Sequence, residues 1–176
     1  MTLLFMRHGQ TEWNARRLIQ GRTDIPLNAT GREQACAQAA ALAGMAVDII
    51  YASPMLRARE TAEIINRVVD VPLCFDDRLI ERCFGDCEGK PYAGQLSNAA
   101  FIQGGGESLA VLHERVLCFL EEIADRHAGQ TVLVVAHGGV GRMVQYCYHG
   151  ERTIRIENGE RVKFSGELLG RIPPVR

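Results

Sequence analysis

The sequence contains no long apolar run and no excess of positive charge, and both absences restrict the possible functions. Its longest strongly apolar stretches are about strand length, far below the roughly 20 residues that a membrane-spanning helix needs. The formal net charge is −1, whereas a protein that binds nucleic acid usually carries a basic face. We therefore expect no membrane association and no nucleic-acid partner, so that any affinity for anions must be local.

The six cysteines include no C-x-x-C pair, and no repeat, linker or low-complexity block divides the chain. Several cysteines fall in apolar patterns, which predicts buried or inert thiols in a reducing cytoplasm. Since Arg7 and His8 interrupt the first apolar run, we predict no signal peptide and a cytoplasmic location. A length of 176 residues, with 47% hydrophobic and 23% charged residues, predicts one globular domain over 1–176.

Three short apolar segments are typical of buried β-strands, and polar groups follow each of them closely. The predicted strands cover residues 2–6, 47–52 and 131–136. Arg7 and His8 follow the first strand, Arg57 follows the second, and His137 follows the third. Ligands of open α/β sheets bind beyond the carboxyl ends of the strands. If the three strands are neighbours, we expect these four side chains to converge.

Helical patterns alternate with the strands and predict helices over residues 27–44, 53–69, 109–129 and 137–149. Thr30 and Glu33 have the spacing of a capping box, while Ser53 suits an N-cap with Pro54 at the first helical position. A further strand is predicted at 71–75, and a hairpin at 153–165 turns at Asn158-Gly159. The predicted fold is therefore an α/β, three-layer α/β/α sandwich with a mixed, mostly parallel central sheet.

The converging side chains suit phosphoryl transfer. Arginine offers a planar fork of donors that matches phosphate oxygens, and helix N-termini add free N–H groups. A neutral imidazole can attack phosphorus and carry the phosphoryl group covalently. Two histidines and two arginines suffice for this chemistry in principle, without a metal or another cofactor. Glu81, at the end of another apolar segment, is the candidate proton donor for the leaving oxygen.

Seven sequence blocks between residues 1 and about 145 resemble the histidine phosphatase superfamily, in its phosphoglycerate-mutase-like branch. They have the order and spacing of that family, and together they are highly specific. The blocks are MRHGQTEWN at 6–14, GRTDIPL at 21–27, GREQA at 31–35, SPMLRARETA at 53–62, ERCFGDCEG at 81–89, GGES at 105–108 and VVAHGG at 134–139.

The resemblance implies a role for each matching position. His8 would be the nucleophile that becomes phosphohistidine, and Glu81 would be the acid and base. The implied phosphate-binding and pocket residues are Arg7, Arg57, His137, Asn14, Gln20, Gly21, Arg82 and Gly138. The implied partner is a small phosphorylated substrate, whose identity stays open, as does the oligomeric state.

Two stretches depart from the family pattern. The cap segment at about 91–107 is short and has no Lys or Arg, whereas the glycolytic mutases carry a longer insertion with paired arginines. Its apolar residues, Tyr92, Leu96, Phe101 and Ile102, predict an open, apolar-tolerant pocket. After His149 the chain continues almost directly into the predicted hairpin, without the longer closing segment that is usual in the family.

The short neutral cap favours one function among three. The preferred hypothesis is a metal-independent phosphomonoester hydrolase that works through a phosphohistidine at His8. A phosphoglycerate mutase primed by a bisphosphate is the first alternative, and a non-catalytic phosphate-binding module is the second.

Overall fold

The computed structural model describes residues 1–92, 98–151 and 155–169. Within these residues the chain forms five strands: β1 (Thr2–Arg7), β2 (Ile49–Ala52), β3 (Leu73–Phe75), β4 (Thr131–Ala136) and β5 (Arg161–Phe164). The same residues form six α-helices: α1 (Glu12–Ala15), α2 (Ala29–Leu42), α3 (Leu56–Val69), α4 (Asn98–Gln103), α5 (Leu109–Arg126) and α6 (Gly138–His149). Of these helices, none has the length and apolar character that crossing a membrane demands.

The strands form one sheet in the order β3-β2-β4-β1-β5. β1 to β4 run parallel, and β5 pairs antiparallel with β1, so the predicted mixed, mostly parallel sheet is confirmed. The register pairs Arg7 of β1 with Ala136 of β4, and Ala52 of β2 with the neighbouring Val135. The carboxyl ends of β1, β2 and β4 therefore lie side by side at one edge of the sheet.

Alternating strand residues bury opposite faces of the sheet. Leu3 and Phe5 belong to a core with residues of α5 and α6, whereas Leu4 and Met6 belong to a second core with residues of α2 and α3. This period of two is expected of a strand that is covered on both sides. Helices thus cover both faces, which confirms the three-layer arrangement.

The starts of two helices differ from their predictions. The N-cap of α2 is Asn28, whose side chain accepts the N–H of Gly31, so the capping box proposed for Thr30 and Glu33 is wrong. The N-cap of α3 is Met55 rather than Ser53. The N–H of Leu56 is instead satisfied over a long range by a carboxylate oxygen of Asp24, at 2.8 Å.

The predicted hairpin is present in part. β5 covers most of its second strand, and Asn158-Gly159 lie in the turn. Residues 155–157 form no strand, and the prediction for residues 153–154 lies outside the described residues. The prediction for Leu96 in the cap segment also lies outside them.

The cysteines are more exposed than predicted. All six are free, but Cys36, Cys74 and Cys118 are exposed, so of the two predicted states, buried or inert, burial does not apply to these three. Cys147 is buried in α6, and burial raises the pKa of its thiol to about 12. That thiol is therefore protonated and unreactive at neutral pH.

Two glycines let the first turn of α2 contact the loop that follows β1. A Cβ added to Gly9 would lie 2.3 Å from the carbonyl oxygen of Gly31, and one added to Gly31 would lie 2.1 Å from that of Gln10. The atoms that an added Cβ would contact belong to the backbone, so no side-chain rotation could relieve the overlap. This contact supports the loop that carries His8.

We predict that Gly31→Ala destabilises the protein by about 1–3 kcal/mol because the added methyl group overpacks a backbone contact. In an open helix position the same change usually stabilises by about 1 kcal/mol, so the sign is diagnostic. The control is Ala37→Gly at an exposed position of α2, which should destabilise by about 1 kcal/mol through helix propensity alone. Urea unfolding measures both, and a stabilised Gly31→Ala would contradict the contact.

Candidate active site

A cavity of about 570 Å³ opens at the carboxyl edge of β1 and β4. His137 is fully buried beside it, and its ring centroid lies 5.2 Å from that of His8. The expected convergence of two histidines and two arginines is therefore observed. Nine of the ten predicted site residues line the cavity: Arg7, His8, Asn14, Gln20, Gly21, Arg57, Glu81, Arg82 and Gly138.

His8 is held as a neutral ring with one free nitrogen. Its Nδ1 lies 2.7 Å from the carbonyl oxygen of Gly9, and because a carbonyl only accepts, Nδ1 carries the proton. Burial, reinforced by the positive charges of Arg57 and Arg7, holds the pKa of His8 well below its usual value. The lone pair on Nε2 is therefore available at neutral pH.

His137 stands behind His8 and is also neutral. Burial, then the charges of Arg57 and Arg7, keep its pKa well below the usual value for histidine. Its Nε2 is 2.8 Å from the hydroxyl of Ser53, the residue that sequence reasoning had assigned to a helix cap. Its Nδ1 is buried and has no hydrogen-bond partner, so it can serve a ligand.

Two guanidinium groups supply the positive charge of the site. Arg57 is only 1% exposed, and it donates to the carbonyl oxygens of Gly21 at 2.7 Å and Thr23 at 3.0 Å. Burial lowers the pKa of Arg57 to about 10, which leaves it charged at neutral pH. Arg7 donates to the carbonyl oxygen of Ile156 at 3.0 Å. The Nε atoms of both arginines are buried without a partner.

Glu81 lines the same cavity as the two arginines. Its two carboxylate oxygens accept the backbone N–H groups of Arg82, at 2.8 Å, and Gly139, at 3.0 Å. A Cβ on Gly139 would lie 2.2 Å from a carboxylate oxygen of Glu81, so glycine is required for this approach. The first turn of α6 thus fixes Glu81, a residue from a segment 58 positions away.

Glu88 positions the carbonyls that hold Arg57. Its carboxylate accepts the N–H groups of Arg22, Thr23 and Phe84, and the hydroxyl of Thr23 at 2.6 Å. Thr23 also provides a carbonyl oxygen to Arg57, so Thr23 alone connects Glu88 to Arg57 by hydrogen bonds. Glu88 was quoted within the family blocks, but sequence reasoning gave it no role.

Asn158 is a second support that sequence reasoning missed. It was read only as a turn residue, yet its amide donates to the carbonyl oxygen of His8 at 3.1 Å and to Asn14 Oδ1 at 3.2 Å. The next N–H, of Gly159, lies 3.1 Å from the carbonyl oxygens of both Arg7 and His8. The turn before β5 therefore fixes the backbone that carries His8.

The cavity also has charged residues that the neutral cap did not predict. Arg17, Arg142 and Arg155 line it, although none of them belongs to the cap segment. Nothing local in the sequence distinguishes them from ordinary exposed arginines. The apolar residues of the lining include Phe84, Tyr92 and Phe101, whereas exposed Ile102 does not line the cavity.

Size alone does not single out this cavity. A hollow of about 580 Å³ lies beside α5 and α6, but its lining includes the acidic residues Glu121, Asp125 and Glu167, which would repel an anion. Among the described residues no three His, Cys, Asp or Glu side chains are grouped as a metal ion would require. The anion-binding chemistry is concentrated around His8.

Comparison with known proteins assigns the family. The model of the histidine phosphatase superfamily (branch 1) matches residues 3–159. The chain belongs to this superfamily. This histidine phosphatase is 40% identical over 134 residues to the uncharacterized phosphatase PhoE of Bacillus subtilis, covering 76% of this chain and 69% of that protein. It is 39% identical over 155 residues to phosphoglycerate mutase-like protein 4 of Arabidopsis thaliana, covering 80% and 67% respectively.

A solved structure agrees in fold. A mycobacterial glucosyl-3-phosphoglycerate phosphatase in complex with VO3 superposes with a TM-score of 0.84 at 25% identity, covering 94% of this chain and 91% of that one. Family membership and the phosphatase names of its relatives support phosphatase activity in this histidine phosphatase.

We predict that Glu88→Gln lowers stability at neutral pH. Burial alone would raise the pKa of Glu88, but hydrogen bonds from Thr23, Arg22 and Phe84 outweigh it and hold the pKa below the ordinary 4.5. The ionised carboxylate therefore stabilises the fold above about pH 4.5, and this contribution is lost as the pH falls through the folded-state pKa.

Urea unfolding of wild type and Glu88→Gln near pH 7 and below pH 4.5 measures this effect. The stability gap should be largest near neutrality and should shrink in acid. Glu63→Gln, at an exposed position of α3, is the control and should differ little from wild type at either pH. If the free energies of unfolding of wild type and Glu88→Gln differed equally at both pH values, the carboxylate would not be the cause of the difference.

Proposed function

We propose that this protein is a metal-independent phosphomonoester hydrolase that works through a phosphohistidine at His8. The observation that carries the proposal is the neutral His8 ring, with Nδ1 bound to Gly9 and Nε2 unprotonated, beside two buried guanidinium groups. A neutral nucleophile next to fixed positive charge suits attack on a phosphate dianion.

The phosphate would be held by donors that have no partner in the structure. The Nε–H groups of Arg7 and Arg57 are buried and unbonded. If the Ser53 hydroxyl donates to His137 Nε2, the ring proton of His137 lies on Nδ1, which then becomes a further donor. Two positive charges match the two negative charges of a phosphomonoester, so phosphoryl transfer can proceed largely by positioning and charge neutralisation.

The first step forms a bond from His8 Nε2 to phosphorus and breaks the bond from phosphorus to the leaving oxygen. Glu81 acts as the general acid that gives a proton to that oxygen, and the alcohol departs. In the second step a water molecule attacks phosphorus while Glu81 takes its proton. The bond from phosphorus to nitrogen breaks, and inorganic phosphate and neutral His8 are restored.

Asn14, Gln20, Gly21, Arg82 and Gly138 have supporting roles in this proposal. Gly138 begins α6, and an added Cβ there would lie 3.5 Å from Arg7 Nε, so its N–H is close to the phosphate site. Gly21 acts through its carbonyl on Arg57. Gln20 accepts the hydroxyl of Thr11 at 2.8 Å and orders the pocket wall.

Arg82 joins the cap segment to the rest of the single domain that we propose for residues 1–176. Its side chain donates to the carbonyl oxygen of Glu107 at 2.8 Å and to the side chain of Asn98 in α4. It also lies over the rings of Phe84 and Phe101 at 5.6 and 5.2 Å. We propose that the described part of the cap, residues 91–92 and 98–107, closes one side of the substrate pocket through Tyr92 and Phe101.

We predict that His8→Gln lowers the release of inorganic phosphate from phenyl phosphate at least about a thousandfold, because the nucleophile is absent. Wild type quenched during turnover of labelled substrate should carry an acid-labile phosphoryl group, and the variant should carry none. His113→Gln changes a buried histidine of α5 outside the cavity, so it controls for loss of an imidazole and should keep most of the activity.

The same assay separates the alternatives. Activity should persist in chelator, and phosphate and alcohol should appear in equal amounts. Transfer to a second alcohol without phosphate release would indicate a mutase, and tight phosphate binding without turnover would indicate a binding module. Full activity of a folded His8→Gln variant would overturn the proposal.

A further inference from the structure

The two walls of the cavity differ in character. Phe84 and Phe101 form an aromatic wall, with ring centroids 4.9 Å apart in an edge-to-face arrangement, and Tyr92 lies beside them in the lining. Arg142 and Arg155 line the cavity as well, and the structure brings them from α6 and from the stretch before the Asn158 turn. A substrate therefore meets apolar and cationic surfaces in addition to the reacting centre.

Helix geometry directs Arg142 toward the proposed phosphate site. Arg142 is four residues after Gly138, so both lie on the same face of α6. Side chains on a helix lean toward its N-terminus, which here is the end at the cavity.

Arg142 and Arg155 stand close enough to Arg7 for their positive charges to lower the pKa of Arg7, after burial and against the opposing effect of Glu81 and Glu157. Within the part of the chain that the structure describes, Arg142 has no ion pair or hydrogen bond for its guanidinium group. Arg155 pairs with Glu157 at 2.8 Å, but both side chains are largely exposed, at 78% and 59%, so this pair contributes little.

The charge balance of the site leaves these two arginines without a function in phosphate binding. Arg7 and Arg57 already match the two charges of a phosphomonoester, as argued above. Arg142 and Arg155 add positive charge at the exposed side of the same cavity. Such a cluster is most favourable when a further anion is bound next to the phosphate.

We propose that Arg142 and Arg155 form a subsite for a second anionic group of the same substrate. The preferred substrates are then small phosphomonoesters that also carry a carboxylate or a second phosphate, with the organic part against Phe84, Tyr92 and Phe101. This inference rests on the proposed hydrolase function for the reaction, but the subsite itself is a binding property.

Matched aryl esters test the proposal. Phenyl phosphate lacks the second anion, whereas 4-carboxyphenyl phosphate and 1,4-phenylene bisphosphate carry it on the same ring. Wild type should show a kcat/KM that is about tenfold higher for at least one charged ester than for phenyl phosphate. This advantage should lie mainly in KM and should shrink as ionic strength rises.

Arg142→Ala and Arg155→Ala should each remove most of that advantage, because kcat/KM should fall several-fold more for the charged esters than for phenyl phosphate. Arg142→Lys, which keeps the charge, should restore part of it. Arg67→Ala, at an exposed position of α3 remote from the cavity lining, controls for the loss of one positive charge and should behave as wild type. A gain with only one charged ester would identify the anion that the subsite prefers.

A binding measurement separates this inference from the proposed reaction. Benzylphosphonate and 4-carboxybenzylphosphonate cannot be hydrolysed, so calorimetry reports their affinities even if no ester is turned over. Tighter binding of the carboxylated compound to wild type, lost in Arg142→Ala, would support the subsite. The subsite would be overturned if wild type bound both phosphonates with equal affinity. It would also be overturned if Arg142→Ala lost the same affinity for both compounds, because Arg142 would then attract anions only in general.

Discussion

The burial of two guanidinium groups is the constraint on which the rest of the site depends. Removing a cation from water is costly unless dipoles or charges replace its hydration. The guanidinium groups of Arg57 and Arg7 donate to the backbone carbonyl oxygens of Gly21, Thr23 and Ile156. Among the acidic residues, Glu81 has the largest opposing effect on the lowered pKa values of both arginines. Burial, reinforced by the same positive charge, holds the pKa of both histidines well below its usual value. The buried positive charge therefore forms the anion-binding hollow and also helps to keep the nucleophile unprotonated.

The carbonyls can do this only because distant segments fix the loops that bear them. Glu88 orders the 21–23 loop from 65 or 66 positions away along the chain, and Asn158 orders the His8 backbone from 150 positions away. Both supports use a side chain with several hydrogen bonds rather than a hydrophobic contact. Precise placement of charge is thus achieved by polar groups outside the cores, while the two cores hold the strand ends in register.

The sequence predicted those features that depend on local patterns. The strand β4 begins and ends where its apolar run does, and the polar residues after β1, β2 and β4 met because parallel strands end at one edge. Helix starts were predicted less well, since Ser53 bonds His137 and Asp24 satisfies the N–H of Leu56. Such assignments depend on contacts between segments that no local window contains. Arg142 and Arg155 were missed for the same reason, because their common cavity exists only after folding.

The two walls of the cavity bear on how substrate choice arises in this architecture. The cap segment lacks Lys and Arg, and its apolar residues predicted an apolar-tolerant pocket. Its contribution is indeed aromatic, through Phe101 packed on Phe84. The positive charge comes instead from α6, the helix whose first turn also fixes Glu81, and from the segment that leads into the Asn158 turn. The proposed selection of substrates with a second anion therefore depends on α6 rather than on the length or composition of the cap.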